Sequence, residues 1–230
     1  MRIILVDSGL FHPSLLARGR LLGLLKESNC EQILRVASLS ALPADLSAWN
    51  VIVLYFHAAM APESAISRLW SFVRAGGGIL AIHSATASFK KQEAFGTLLG
   101  GHFAGHDAVG DCLLEPAGSD GPFAGLPAFR VRDEMYFHDL EPDIDIAFTA
   151  RRCGSNGQPG GLDGRLPGVN PPIPAVWTRR VGAGRVCHAC PGHRAATLDN
   201  ADYRRLILRG LSWAAGLEDR EVQGGGHGQS

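Results

Sequence analysis

The chain has 230 residues, 22 basic and 22 acidic, with a hydrophobic share of 46%. That is enough apolar mass for a core. The balanced charge argues against a general nucleic-acid or anionic-membrane binder, either of which would carry a basic excess.

"RIILV" (2–6) reads as a buried strand, and "SLLARGRLLGLLKE" (14–27) as a helix with leucines at helical spacing and Pro13 at its first turn. "QILRVASL" (32–39) suggests another short strand, and "VIVLYF" (51–56) is wholly apolar. A helix follows from about Pro62, with Ile66, Leu69, Trp70 and Val73 on one face, and the glycines from Gly76 stop it. "ILAI" (79–82) is the next strand. Apolar strands alternating with amphipathic helices predict a parallel sheet covered on both faces.

From about residue 107 the pattern changes. "FRVRDEMYF" and "DIDIAFTARR" alternate, as strands of a mixed or antiparallel extension do. Residues 151–172 are dense in Gly and Pro and predict an exposed loop. "AVWTRR" and "GRVCHAC" flank "VGAG" as a hairpin, and "DYRRLILRGLSWAAG" closes the fold as a helix capped at Gly216. No repeat or linker divides the chain, so one domain over 1–217 and a flexible tail over 218–230 are expected. No apolar run approaches the roughly 18 residues of a spanning helix, and the N-terminal run is too short for a signal peptide. Five scattered cysteines fit a reducing cytoplasm better than a disulfide framework.

In open α/β sheets ligands sit at the carboxyl ends of the strands. His12, His57 and His83 each stand just past such an end. Any one of them alone would be an ordinary hydrogen-bonded residue; three at one edge suggest a site. His83 has the strongest context, because strand, one polar residue and a small-residue turn make the layout of a nucleophile elbow. Here the centre is histidine, and Ser84 is one residue late.

His102 and His106 lie four apart, as helical zinc ligands do, but Gly100, Gly101 and Gly105 argue against a helix. A loop closing over the sheet edge, with one of these histidines contacting substrate, is expected instead. In "RDEMYFH" an extended backbone puts Glu134, Tyr136 and His138 on one face and turns Asp133 away. Glu134 could be a metal ligand, a base or an orienter of an imidazole. Cys187 and Cys190 suit packing better than chelation, since no second Cys pair completes a zinc site. Trp177, Tyr203 and Trp213 read as core residues.

"FVRAGGGILAIHSA", "LLGGHFAGH", "RDEMYFH", "AVWTRRVGAGRVCHACPGH" and "YRRLILRGLSWAAG" together resemble the successive motifs of the trehalose-utilisation (ThuA-like) family, over roughly residues 50–216. The resemblance implies a class I glutamine amidotransferase-like fold, a flavodoxin-like three-layer sandwich around a mainly parallel sheet. It puts His83 in the elbow in place of the nucleophilic cysteine, places His193 near the amidotransferase histidine, and favours a functional Glu134. It also implies carbohydrate catabolism through 3-keto sugars made by a partner dehydrogenase, and, for some members, a divalent metal such as zinc.

Three functions follow. The first is a hydrolase or lyase acting on a 3-keto glycoside, with His83, Glu134 and His193 as catalytic residues or metal ligands. His12, His57, Ser84, His102, His106 and Tyr136 then form the substrate-binding shell, and a homo-oligomer or a sugar dehydrogenase is the expected partner. The second is a non-catalytic sugar- or protein-binding module that has lost its nucleophile. The third, a working glutamine amidotransferase, lacks a thiol at the elbow.

Overall fold

The computed structural model describes residues 1–9, 13–153 and 172–217. His12, most of the Gly- and Pro-rich stretch and the C-terminal tail lie outside the described residues. In chain order the first half holds β1 (Arg2–Asp7), α1 (Leu15–Glu27), β2 (Gln32–Val36), β3 (Val51–Tyr55), α2 (Glu63–Arg74), β4 (Gly78–Ile82), α3 (Glu93–Leu99), β5 (Gly101–His106) and β6 (Gly110–Pro116). The second half holds β7 (Phe129–Asp133), β8 (Tyr136–Leu140), β9 (Asp145–Arg152), β10 (Ile173–Val181), β11 (Gly184–Ala189), α4 (Ala195–Asp199) and α5 (Ala201–Ala214).

Nine strands form one sheet in the order β2-β1-β3-β4-β11-β10-β9-β6-β7. The ladders from β2 to β11 are parallel, and those from β11 to β7 are antiparallel. β3, β4 and the Ile3–Val6 stretch of β1 are apolar and buried at every position because both faces are covered. Ile3, Leu5, Val51, Val53, Leu80 and Ile82 pack with Leu21, Leu24 and Leu25 of α1 and Leu206, Ile207 and Leu211 of α5. Their neighbours in the strands, Ile4, Val6, Ile52, Leu54, Ile79 and Ala81, pack with α2 and α3 on the other side. Each such aliphatic side chain contributes about 1.5–3 kcal/mol relative to exposure. The result is the flavodoxin-like three-layer sandwich that the family resemblance implies.

The helix ends follow local chemistry. Ser14 caps α1 by accepting from the Ala17 N–H at 3.2 Å. Asn200 caps α5 by accepting from the N–H groups of Asp202 and Tyr203. In α2 the buried face is Ala65, Ile66, Leu69, Phe72 and Val73. Trp70, expected on that face, lies at its edge, where its indole donates to the Ala94 carbonyl at 2.9 Å. Among the described residues, no helix is long and apolar enough to cross a membrane.

The expected loop at 100–106 is instead β5, which pairs with β8 in a separate two-stranded sheet. Its glycines hide a strand from any propensity argument. A register shift between Phe103 and Gly105 inserts one extra residue. That bulge reverses the side-chain alternation, so His102 and His106 do not share a face.

Candidate functional site

The chain leaves β4 at Ile82 and turns at once into a short 3-10 segment, His83–Ala85. His83 takes a left-handed backbone, φ 46°. A non-glycine residue there is strained and persists only where its surroundings over-determine it. The elbow geometry is therefore present, with an imidazole at its apex. The ring is fully buried, and its Nδ1 lies 2.9 Å from the Cys190 carbonyl oxygen. A carbonyl only accepts, so Nδ1 carries the proton and Nε2 presents a lone pair.

That lone pair faces Glu134. His83 Nε2 is 3.6 Å from Glu134 Oε2, and His193 Nδ1 is 3.5 Å from the same oxygen. The three atoms lie within 4.8 Å of one another. Among the described residues, His83 Nε2 and Glu134 Oε2 are buried without a hydrogen-bond partner. Two acceptors facing each other across a buried gap need a proton or a cation between them. Donors held at about 2.1 Å from a tetrahedral ion lie about 3.4 Å apart, close to both measured separations. Two imidazoles and one carboxylate are also a donor set that divalent transition metals accept.

The electrostatics agree with a ligand role. Burial alone would raise the Glu134 carboxyl, but His83 first, then His193 and His106, turn the shift downward to the extent that positive charge sits on their side of the gap, which keeps it a carboxylate. Burial lowers His193, against the pull of Glu134 and Asp133, so its imidazole is neutral near pH 7.

His193 reaches this position because the loop that carries it is held at many points. Fully buried Asp133 accepts from the N–H groups of Gly192, His193 and Arg194 at 3.3, 3.0 and 3.3 Å, from the Glu134 N–H at 2.8 Å and from the Thr197 hydroxyl. The hydroxyls of Tyr55 and Tyr203 donate to the carbonyls of Gly192 and Pro191. Gly192 itself has φ 148°, and a Cβ there would lie 2.9 Å from Ile82 and 3.1 Å from His83, so only glycine lets the loop close on the elbow. β7 ends at Asp133 and Glu134 lies past it, outside any strand, so the expected alternation does not run through this pair; the Asp133 carboxylate instead meets a loop some sixty residues later. Sequence reasoning missed that role.

Tyr136, buried against His83, and exposed His106 flank the triad. The Tyr136 ring is 4.2 Å from His83 and 5.6 Å from His106, and burial keeps its phenol protonated. His106 Nδ1 meets the Asp107 carbonyl at 2.9 Å, which leaves its lone pair on Nε2. His102 faces α3 instead, with Nε2 3.0 Å from Glu141, because the bulge turns it from the site. His57 is exposed just past β3, outside the triad. Ser84 is fully buried beside the elbow, and its hydroxyl has no partner among the described residues. Cys187 and Cys190 are free and buried, and burial raises both thiols. Cys190 accepts from the Tyr136 N–H at 3.2 Å, a packing role.

Behind the elbow lie two further imidazoles. Burial pushes His138 down to about 3 and His188 well below the usual range, and nearby imidazoles depress both further. Folded, both stay neutral; unfolded, both take a proton below about 6.5. Depressed histidines stabilise the fold above pH 6.5, and that contribution falls as the pH drops towards 3. The urea midpoint is expected to decline between pH 7 and pH 5; a constant midpoint would show these rings protonating in place.

A family model described as trehalose utilisation, ThuA, matches residues 15–214. A ThuA-like protein from Parabacteroides merdae is similar in structure, with TM-score 0.75 and 22% identity over 94% of this chain and 90% of that one. A ThuA-like protein from Bacteroides uniformis gives TM-score 0.72 and 17% identity over 93% and 89%. An α-L-fucosidase from Paenibacillus thiaminolyticus gives TM-score 0.60 and 16% identity over 93% of this chain but 33% of its own. No curated protein matches the sequence.

Proposed function

This chain belongs to the ThuA, or trehalose utilisation, family, and from that premise we propose that it is a metal-assisted hydrolase or lyase of carbohydrate catabolism acting on 3-keto glycosides. The observation that carries the reading is the convergence of His83 Nε2, Glu134 Oε2 and His193 Nδ1 on one point. A bound divalent cation, zinc or similar, would supply Lewis-acid stabilisation of the charge that develops on the sugar ketone.

The chain's own residues supply the rest. The ketone acidifies the adjacent C–H. The Nε2 lone pair of His106 accepts that proton, the electron pair forms a C=C bond, and the glycosidic C–O bond breaks. The departing oxygen takes the proton back from His106. The products are an unsaturated keto sugar and a free alcohol; adding water across the new double bond completes a hydrolysis. Tyr136, a neutral phenol, donates to a sugar oxygen. The buried side of the triad excludes bulk water, so substrate enters from the side of His193 and His106. A cytoplasmic location, with a sugar dehydrogenase as the upstream partner, fits five free thiols and a keto substrate.

Purified protein incubated with a 3-keto-glucoside, with and without zinc, is expected to release the alcohol only when metal is present. Metal-independent release, or none under either condition, would contradict the reading. The second reading, a non-catalytic module, draws on the histidine at the elbow apex and on the fucosidase, where the matching fold is a third of a larger chain. One stable partner in a pulldown, with no turnover, would favour it.

A further inference from the structure

We infer that Thr86 is the positioning residue of this site: its hydroxyl holds the carbonyl of His83 in the left-handed turn, and His138 and His188 fix the direction of that hydroxyl. The inference rests on reading His83, Glu134 and His193 as a cation-binding triad.

His83 needs such a hold. Its φ of 46° relaxes unless the peptide on its carboxyl side is pinned. Thr86 pins it twice, with its N–H 3.3 Å and its Oγ1 3.2 Å from the His83 oxygen. The hydroxyl has one proton, and a carbonyl can only accept, so that proton is spent on His83. The remaining neighbours of Oγ1 must then donate to it. These are His138 Nε2 at 2.9 Å and His188 Nε2 at 3.5 Å.

Each neutral ring therefore carries its proton on Nε2 and a bare lone pair on Nδ1. The buried Nδ1 atoms of both rings have no partner among the described residues, and an orphaned lone pair is what this tautomer leaves. Trp177 fixes the two rings. It stacks on His188 at 4.0 Å between centroids and meets His138 edge-on at 5.0 Å. A hydroxyl receiving two donors cannot rotate away from its acceptor. The turn stays closed, and His83 Nε2 stays aimed at Glu134.

Cobalt(II) titration of the whole chain, read by visible absorption, tests this. Thr86→Val removes the hydroxyl and keeps the shape; cobalt affinity is expected to fall about 10–100-fold, the usual effect of losing a ligand's supporting partner. Thr86→Ser is expected to restore it. Long-range ¹H–¹⁵N spectra of the metal-free protein give a second readout: His138 and His188 as Nε2–H tautomers, and His83 as a single Nδ1–H tautomer that becomes mixed in Thr86→Val. Packing alone would not move that tautomer ratio. Unchanged cobalt affinity in Thr86→Val, or Nδ1–H tautomers at His138 and His188, would overturn the inference. If the unsubstituted protein takes no cobalt, the triad reading fails, and the tautomers alone decide the role of Thr86. They decide it equally if Thr86→Val does not fold.

Discussion

His83→Ala is expected to abolish divalent-metal binding and turnover while lowering Tm by no more than about 4 °C, which for a chain of this size is about 1 kcal/mol. The imidazole is fully buried, and losing such a ring ordinarily costs more. Here the loss has a counterweight: its Nε2 lone pair confronts the Glu134 carboxylate across 3.6 Å without a hydrogen-bond partner of its own, and removing it ends that opposition. The forfeited hydrogen bond to Cys190 is worth about 1 kcal/mol net. His83→Asn, which tolerates a left-handed backbone but is too short to reach Glu134, is expected to behave the same way. Thermal scans alongside metal analysis check both. A variant that unfolds would make His83 a packing residue and remove it from the site.

Asp133→Ala has the opposite profile. It is expected to cost about 3–5 kcal/mol, because one buried carboxylate satisfies four backbone N–H groups and a hydroxyl, and each abandoned donor costs about 1–3 kcal/mol before water repairs part of the loss. At about 2–4 °C per kcal/mol, Tm falls by about 6–20 °C. Metal binding falls with it, because the loop carrying His193 loses its anchor to the β7 end that carries Glu134. A Tm within a degree or two of the parent would show that the loop is held by Tyr55 and Tyr203 alone. The pair of variants separates a residue that acts at the site from one that builds it.

The contrast also marks how far the sequence could be read. β1, β3 and β4 were legible because two-sided burial leaves a nearly uninterrupted apolar run, and His83 was legible because a lone polar residue ended one of those runs. Glu134 and His193 came from the family resemblance, which supplied what spacing could not. The role of Asp133 was hidden because its partners lie about sixty residues downstream; alternation gives a direction but not what waits there. β5 was hidden by its glycines, and its bulge then sent His102 and His106 to different faces. The network behind the elbow left fainter traces: Thr86 three residues after His83, and His188 inside an otherwise apolar run. Both were open to notice, but only the register of β11 beside β4, which sets His188 opposite Ala81, shows that they meet.

The most direct test of the triad is anomalous scattering above and below the zinc edge from crystals grown with zinc. The expected result is one strong peak about 2.0–2.2 Å from each of His83 Nε2, Glu134 Oε2 and His193 Nδ1. A map without that peak, in which the gap holds only a protonated carboxyl or an ordered water, would contradict the account.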